Sequence, residues 1–414
     1  MAAADDYDAA VALAEFQAAR AGVRGLVESG ITSVPPLFLT RRPRTSSPSP
    51  PPVEAQNQPP LFTIPSVDLA LPLSSTLPLI RAAARSCGFF HVTNHGVDAA
   101  AVDSAVSAVR AFHEQPLTTR SAFYAPASVG SITYSTIPIQ TGKSKTTSAG
   151  PLLPWRDTLQ VRFGPPPAPD LAHLPPACRD ALVRYQLLMT ELGKKMAGLL
   201  SEALGVGAER LERAMRVEGL LMACHYYPPC PEPARVVGSL GHTDPSLFTV
   251  LAQDGVGGLQ VRLHDGRWAD VLPVPGSLLL NIGDVLKIRD SFETREARVT
   301  STAGRSVDSD WNSISAAASL HDTDSVVQVV SNDEYESVEH RVVIKSCQDA
   351  RVSIALFFNP SKRRESDLFG PLPELLTAGK QQRYRAFTVT EFMSSRREHG
   401  HGTNSIDRFR IAHE

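Results

Sequence analysis

The sequence predicts a mixed α+β protein, with helices flanking a barrel or sandwich of short strands. Two observations carry this expectation. From residue 61 to about 207, strand-type and helix-type segments alternate. Past Glu218 the texture changes to short β-branched runs punctuated by glycine and proline.

In chain order, "YDAAVALAEFQAARAGVRGLVESG" is helical by its alanines, with Gly30 supplying a stop. The tract "RPRTSSPSPPPVEAQNQPP" is too poor in apolar residues to bury surface and reads as a linker, so residues 1–60 form an N-terminal extension. Then "LFTIPSVDLAL" reads as a strand, "STLPLIRAAARSCG" as a helix and "FFHVTNHGV" as a second strand. In "RDALVRYQLLMTELGKKMAGLLSEALGV" apolar residues recur every three or four positions, which predicts a long amphipathic helix backing the core, and "GAERLERAM" predicts a shorter one. These make an N-terminal domain over 61–207. Residues 208–369 carry the short strands, with Asp265-Gly266 marking a hairpin. The stretch "QQRYRAFTVTEFMSSRREH" predicts helix in a C-terminal segment, 370–414.

Composition narrows the function. The 414 residues are 42% hydrophobic, enough for one large core or two moderate ones, and 41 basic against 43 acidic side chains leave a net charge of -2. Charges scattered this evenly give no footprint for nucleic acid or an anionic membrane, so small-molecule chemistry is expected. The five cysteines form no C-x-x-C pair, which fits a reducing compartment. No apolar run is long enough to span a bilayer, and the start "MAAADDYDAA" is acidic where a targeting peptide is basic or uncharged. The cytosol is the expected location, with the nucleus left open.

The chemistry concentrates in "SLGHTDPSLFTVLAQ". Residues i and i+2 of a strand share a face, so His242 and Asp244 would present imidazole and carboxylate side by side. A histidine on a strand is most often structural, and His242 alone would be read that way. However, "SVEHRVV" offers His340 on another short strand, and two histidines with one carboxylate make the facial triad of non-haem Fe(II) sites. Further on, "RVSIALFF" sets Arg351 and Ser353 on one face, with Val352 and Ile354 on the other. An arginine in so apolar a strand requires an anion, and its planar fork suits a carboxylate. Either Tyr226 or Tyr227 of "HYYPPC" could add a phenolic hydrogen bond. Metal plus carboxylate clamp points to an anionic co-substrate.

The motifs "YYPPCPEP", "GHTDPSLFTVL", "GGLQV", "WADVLPVPGSLLLNIGDVL", "SNDEYESVEHRV" and "RVSIALFFNP" together resemble the plant 2-oxoglutarate- and Fe(II)-dependent dioxygenases. The N-terminal "IPSVDLA…GFFHVTNHGV" extends the likeness over most of residues 61–410. "FQAARAGVRGLVESGITSVPPLF" and "FHEQP…WRDTL" resemble the branch of 1-aminocyclopropane-1-carboxylate oxidase homologues.

The resemblance implies a double-stranded β-helix, the jelly-roll barrel, with flanking helices. It implies His242, Asp244 and His340 as iron ligands, Arg351 and Ser353 as the grip on the distal carboxylate of 2-oxoglutarate, and Tyr227 as its aid. Dioxygen and a small-molecule substrate are the other reactants, ascorbate is expected as reductant, and a monomer is expected. The expected activity is hydroxylation or another oxidation of a specialised plant metabolite. Two alternatives stand beside it: an ascorbate-dependent oxidase of the 1-aminocyclopropane-1-carboxylate type, and a catalytically inert barrel.

Two features depart from the family pattern. His225 stands where relatives usually carry asparagine, which should alter the pocket edge. Residues 288–326, rich in serine and charge, read as a loop or disordered insert. Asp244 and His340 are 96 positions apart, and without those 39 residues the gap is 57, much nearer the family's usual spacing. The segment therefore reads as a retained intron or a mis-joined gene; if translated, it could misalign the strand carrying His340 and leave the barrel inert. Residues 131–154 read as a variable loop near the pocket. His91 and His95 are expected in packing or turn roles, His264 at a solvated hairpin tip, and the "HDTD" of 321–324 mimics the ligand motif without a strand pattern.

Overall fold

The computed structural model describes residues 8–40, 63–125, 130–136, 152–164, 167–215, 219–244, 246–283, 331, 334–359, 368–376, 382–388, 391 and 409–411. The 288–326 segment and its "HDTD", the Pro/Ser-rich linker of 42–60, and much of 131–154 lie outside the described residues.

The N-terminal helical pattern is two helices, α1 (Ala9–Ala19) and α2 (Gly22–Glu28). The break falls at Arg20, which takes the left-handed conformation (φ 51°) and closes α1 on the Gln17 carbonyl. Alanine content marks helix but cannot mark this interruption. The next elements follow the expected order: β1 (Ser66–Asp68), α3 (Leu73–Ser86), β2 (Phe89–Thr93), α4 (Ala99–His113) and α5 (Leu117–Phe123). Part of the presumed variable loop is a strand, β3 (Ile132–Ser135), paired antiparallel with β4 (Asp157–Arg162). The long amphipathic segment is α6 (Arg179–Leu204), followed by α7 (Arg210–Met215).

The strand-rich half comprises β5 (Gly219–Tyr227), β6 (Ser239–His242), β7 (Phe248–Gln253), β8 (Leu259–Arg262), β9 (Trp268–Asp270), β10 (Leu278–Ile282), β11 (His340–Val342) and β12 (Arg351–Asn359). β8 and β9 form the expected hairpin, with Gly266 at φ 81°, a conformation that a side chain would disfavour. Near the C-terminus, residues 382–388 are extended where the pattern predicted helix: β14 (Phe387–Thr388) pairs with β13 (Leu368–Phe369), and Tyr384 bridges Arg410. A helix-start signal arrives only at Thr388. Its Oγ1 accepts from the Glu391 N–H at 3.1 Å while the Glu391 carboxylate accepts from the Thr388 N–H at 2.9 Å, a reciprocal capping box.

The strands form two main sheets, one ordered β1-β2-β10-β7-β12-β5-β4-β3 and the other β6-β11-β8-β9. Among the described strand pairs, the β1–β2 pairing is parallel and the others are antiparallel. Phe89, Tyr227 and Leu279 of the larger sheet meet Leu259, Val261 and Val342 of the smaller one in a common apolar cluster, so the two sheets face each other. The opposite face of the larger sheet carries Val352, Ile354, Leu356 and Phe358, which join α4 and α6 in the main core. There α6 approaches β12 so closely that a Cβ on Gly193 would lie 2.0 Å from the Phe358 ring. Period-two alternation along β12 thus turns apolar residues to the helices and Arg351 and Ser353 to the space between the sheets, as their spacing predicted. Among the described residues no helix is long and apolar enough to cross a membrane.

Candidate metal centre

β6 ends at His242, and Asp244 lies just past the strand instead of within it. β11 runs antiparallel beside β6 with His340 opposite His242, which sets the two ring centroids 4.3 Å apart. Nε2 of His242 is 3.6 Å from Asp244 Oδ1, and Nε2 of His340 is 3.4 Å from the same oxygen. The three ligand atoms fall within 4.8 Å of one another, the only such grouping among the described residues.

Backbone carbonyls orient both rings. Nδ1 of His242 is 2.8 Å from the Leu240 oxygen, and Nδ1 of His340 is 3.2 Å from the Val338 oxygen. Carbonyls only accept, so each Nδ1 carries the proton and, in the neutral ring, each Nε2 turns its lone pair toward Asp244. The carboxylate is held with equal care. Its Oδ2 accepts from Thr249 Oγ1 at 2.6 Å and from Asn281 Nδ2 at 2.7 Å, while Oδ1 faces the imidazoles. Burial alone would raise the Asp244 carboxyl, but the His340 imidazole in its protonated form, then protonated His242 and the Thr249 hydroxyl, hold it below the ordinary carboxylate value. The centre therefore offers an ionised oxygen and two imidazole lone pairs converging from one side, a donor set that fits Fe(II).

Thr249 and Asn281 were not singled out by sequence reasoning. A signal existed, since Asn281 interrupts the wholly buried run "LLLNI" of β10 and Thr249 sits in the apolar "LFTVL" of β7. A buried polar side chain in an apolar strand requires a partner.

The three candidate ligand residues line an open cleft between the sheets. Arg351, 4% exposed, lines it from β12, donating from Nη1 to Ser353 Oγ and from Nη2 to Gln253 Oε1, both at 2.9 Å. Its Nε is buried with no hydrogen-bond partner among the described residues. Buried cations are ordinarily paired, so this guanidinium fits the carboxylate of an organic acid. The structure separates the two candidate tyrosines. Tyr226 turns away, donating to Glu114 Oε1 at 3.1 Å, whereas Tyr227 lines the cleft with its ring 5.0 Å from the Arg351 guanidinium carbon. His225 also lines the cleft, its Nδ1 3.0 Å from Thr158 Oγ1, at the pocket wall its departure suggested.

His91, His95 and His264 lie outside this grouping and make packing or turn contacts. His91 Nδ1 meets Ser277 Oγ at 3.0 Å, His95 Nδ1 accepts from the Val97 N–H at 3.1 Å, and the exposed His264 lies 3.1 Å from the Ser86 carbonyl.

Comparison with known proteins agrees with this geometry. Residues 218–360 match the 2OG-Fe(II) oxygenase superfamily, and residues 64–177 match the family described as non-haem dioxygenase in morphine synthesis N-terminal. The chain is 35% identical to 1-aminocyclopropane-1-carboxylate oxidase homolog 4 of Arabidopsis thaliana, covering 91% of each chain. It is 33% identical to the 1-aminocyclopropane-1-carboxylate oxidase homolog of Solanum lycopersicum, covering 98% of each. Among solved structures it is similar to JOX2 in complex with 2OG, Fe and JA, with a TM-score of 0.69 and 26% identity over 94% of this chain and 98% of that one. Its fold is also that of the rice dioxygenase for auxin oxidation, with a TM-score of 0.61 and 23% identity over 84% of this chain and 100% of that one. The chain belongs to the 2OG-Fe(II) oxygenase superfamily, among the 1-aminocyclopropane-1-carboxylate oxidase homologues, and is a dioxygenase that uses Fe(II) and 2-oxoglutarate.

Proposed function

We propose that this chain oxidises, most simply by hydroxylation, a small specialised plant metabolite in the cleft between its two sheets, with His242, Asp244 and His340 as the protein ligands to Fe(II). The observation that carries this reading is the convergence of those three side chains within 4.8 Å at the floor of a cleft that also holds the buried Arg351. Bound Fe(II) supplies dioxygen activation coupled to decarboxylation of the keto acid. The chain's residues do the rest. Arg351 grips the distal carboxylate of 2-oxoglutarate through its fork, Ser353 fixes that fork at 2.9 Å, and the Tyr227 hydroxyl reaches the same carboxylate from beside it. Asp244 offsets part of the metal's charge, and apolar walls from Phe89, Leu259 and Val342 limit water around the reacting groups.

The two facing sheets support closure into a double-stranded β-helix spanning residues 208–369, preceded by the 61–207 domain and followed by the 370–414 segment. We take the enzyme to act as a monomer, with ascorbate keeping iron reduced. Succinate release tests the reading. Succinate should form only with Fe(II), 2-oxoglutarate and dioxygen together, and should be lost in His340→Ala and Arg351→Gln. Turnover that needs ascorbate but no keto acid would instead identify the oxidase alternative. The same assay on a chain lacking residues 288–326 shows whether that segment silences the barrel, and an exon boundary pair absent around it in the genomic sequence would remove the retained-intron explanation.

A further inference from the structure

The cleft contains a second guanidinium, Arg156, that the chemistry above does not use. We infer that Arg156 binds the carboxylate of the primary substrate, so that the enzyme acts on a hydrophobic organic acid. This inference rests on the reading of the cleft as the oxygenase site.

Arg156 is half-buried and rigidly mounted. On one side Trp155 is fully buried, its backbone N–H donating to the Val237 carbonyl at 2.7 Å and its Nε1 to the Pro228 carbonyl at 3.2 Å. On the other, Asp157 is fully buried and accepts the Val23 and Arg24 N–H groups at 2.9 and 2.8 Å. Only the side chain between these anchors is left to reach the cleft. Its guanidinium forms no ion pair or hydrogen bond within the described residues. The sole carboxylate lining the cleft among the described residues, Asp244, is committed to the two imidazoles.

The strand register separates this cation from the co-substrate clamp. Arg351 pairs with Tyr227, and Asp157 pairs with Tyr226, so continuing the latter register by one residue sets Arg156 beside Tyr227. Arg351 and Arg156 thus flank Tyr227 from opposite sides, two strand spacings or about 10 Å apart in backbone position. One guanidinium serves the keto acid, and the other faces the volume left for the substrate. The planar fork of Arg156 suits a carboxylate, and the apolar walls of Phe89, Leu251, Leu259 and Phe357 suit a hydrophobic body.

Equilibrium dialysis of the full-length protein under argon, with Fe(II) and saturating 2-oxoglutarate, provides the test. The probes are phenylacetate, cinnamate and octanoate, each beside its methyl ester, and a parallel series omits 2-oxoglutarate. With Arg351 occupied by the keto acid, at least one acid should bind about 10- to 100-fold more tightly than its ester, the range of one charge-assisted hydrogen-bonded contact. Arg156→Gln should reduce that acid to the affinity of its ester, and Arg156→Lys, which keeps the charge and serves if the glutamine variant misfolds, should restore part of it. Equal binding of acids and esters, or acid binding that survives Arg156→Gln, overturns the inference. Failure of 2-oxoglutarate itself to bind would count against the proposed function, whereas the change in acid-to-ester ratio between the unaltered protein and Arg156→Gln still reports on Arg156.

Discussion

Two carboxylates in this molecule are equally hidden from water and serve opposite purposes. Asp157, at the head of β4, has its oxygens taken by the Val23 and Arg24 N–H groups and the Thr136 hydroxyl, which fastens α2 to the edge of the larger sheet. Asp244, beyond β6, gives one oxygen to Thr249 and Asn281 and leaves the other facing two imidazoles. Burial raises the Asp157 carboxyl, and the donors around it and the Arg120 charge only partly offset this. At Asp244 the same burial is outweighed by His340 and His242, and the carboxyl is lowered. A buried carboxylate with every oxygen spoken for by backbone and hydroxyl donors is an anchor. One with an oxygen turned toward two imidazoles is placed to serve as a ligand.

The largest effects should separate the two. Asp244→Asn, which keeps an acceptor for Thr249 and Asn281, should lower succinate formation by more than about 100-fold, beyond the loss usual for residues that merely support a ligand, while the urea midpoint changes little. Asp157→Ala should do the reverse, costing about 3 kcal/mol of stability because it strands buried donors, with the iron centre left able to bind metal. Equal loss of stability in both variants would erase the distinction.

Next in size are the groups that orient Asp244. Thr249→Val and Asn281→Ala should each weaken Fe(II) binding by about 10- to 100-fold, read by competition with a chelator. Unchanged affinity would mean that Oδ2 needs no fixing.

The smallest effect concerns the structural polar cluster around Asp157. His113 is fully buried, stacked on Tyr226 at 4.9 Å, with Nδ1 2.8 Å from the Val109 carbonyl. Burial, aided by the Arg120 charge, pushes its pKa down to about 3 from 6.5, against the opposing Val109 hydrogen bond. The unfolded ring takes up a proton that the folded ring refuses, so this contribution is complete above the unfolded value and is lost as pH falls toward 3. The slope should be about 1.4 kcal/mol per pH unit at most, visible in urea unfolding between pH 6 and 4. His113→Phe should flatten it.

Legibility in the sequence followed the range of the interactions. His242 and Asp244 were readable because two-residue spacing brings them to one side whether or not the strand continues, and Arg351 with Ser353 because period two holds along β12. The pairing of His340 with His242 is a long-range register that no local pattern encodes; His340 was legible as a third ligand on another short strand, and the likeness to a family supported it. Thr249 and Asn281 were hidden because they converge on Asp244 from two different strands. The interruption between α1 and α2 was hidden for a related reason. The donors it exposes are met by Asp157, more than a hundred residues away. The extended 382–388 segment was misread because its mixed apolar pattern satisfies a helix until its pairing partner is known.

The central claim is that His242, Asp244 and His340 hold one ferrous ion within reach of a keto acid gripped by Arg351. Anaerobic titration of Fe(II) into the full-length protein with saturating 2-oxoglutarate, followed by visible absorption, tests it directly. A charge-transfer band should appear, saturate at one iron per chain, and be absent from folded Asp244→Ala and His340→Ala variants. A flat spectrum in the unaltered protein, or a band that survives those substitutions, would contradict it.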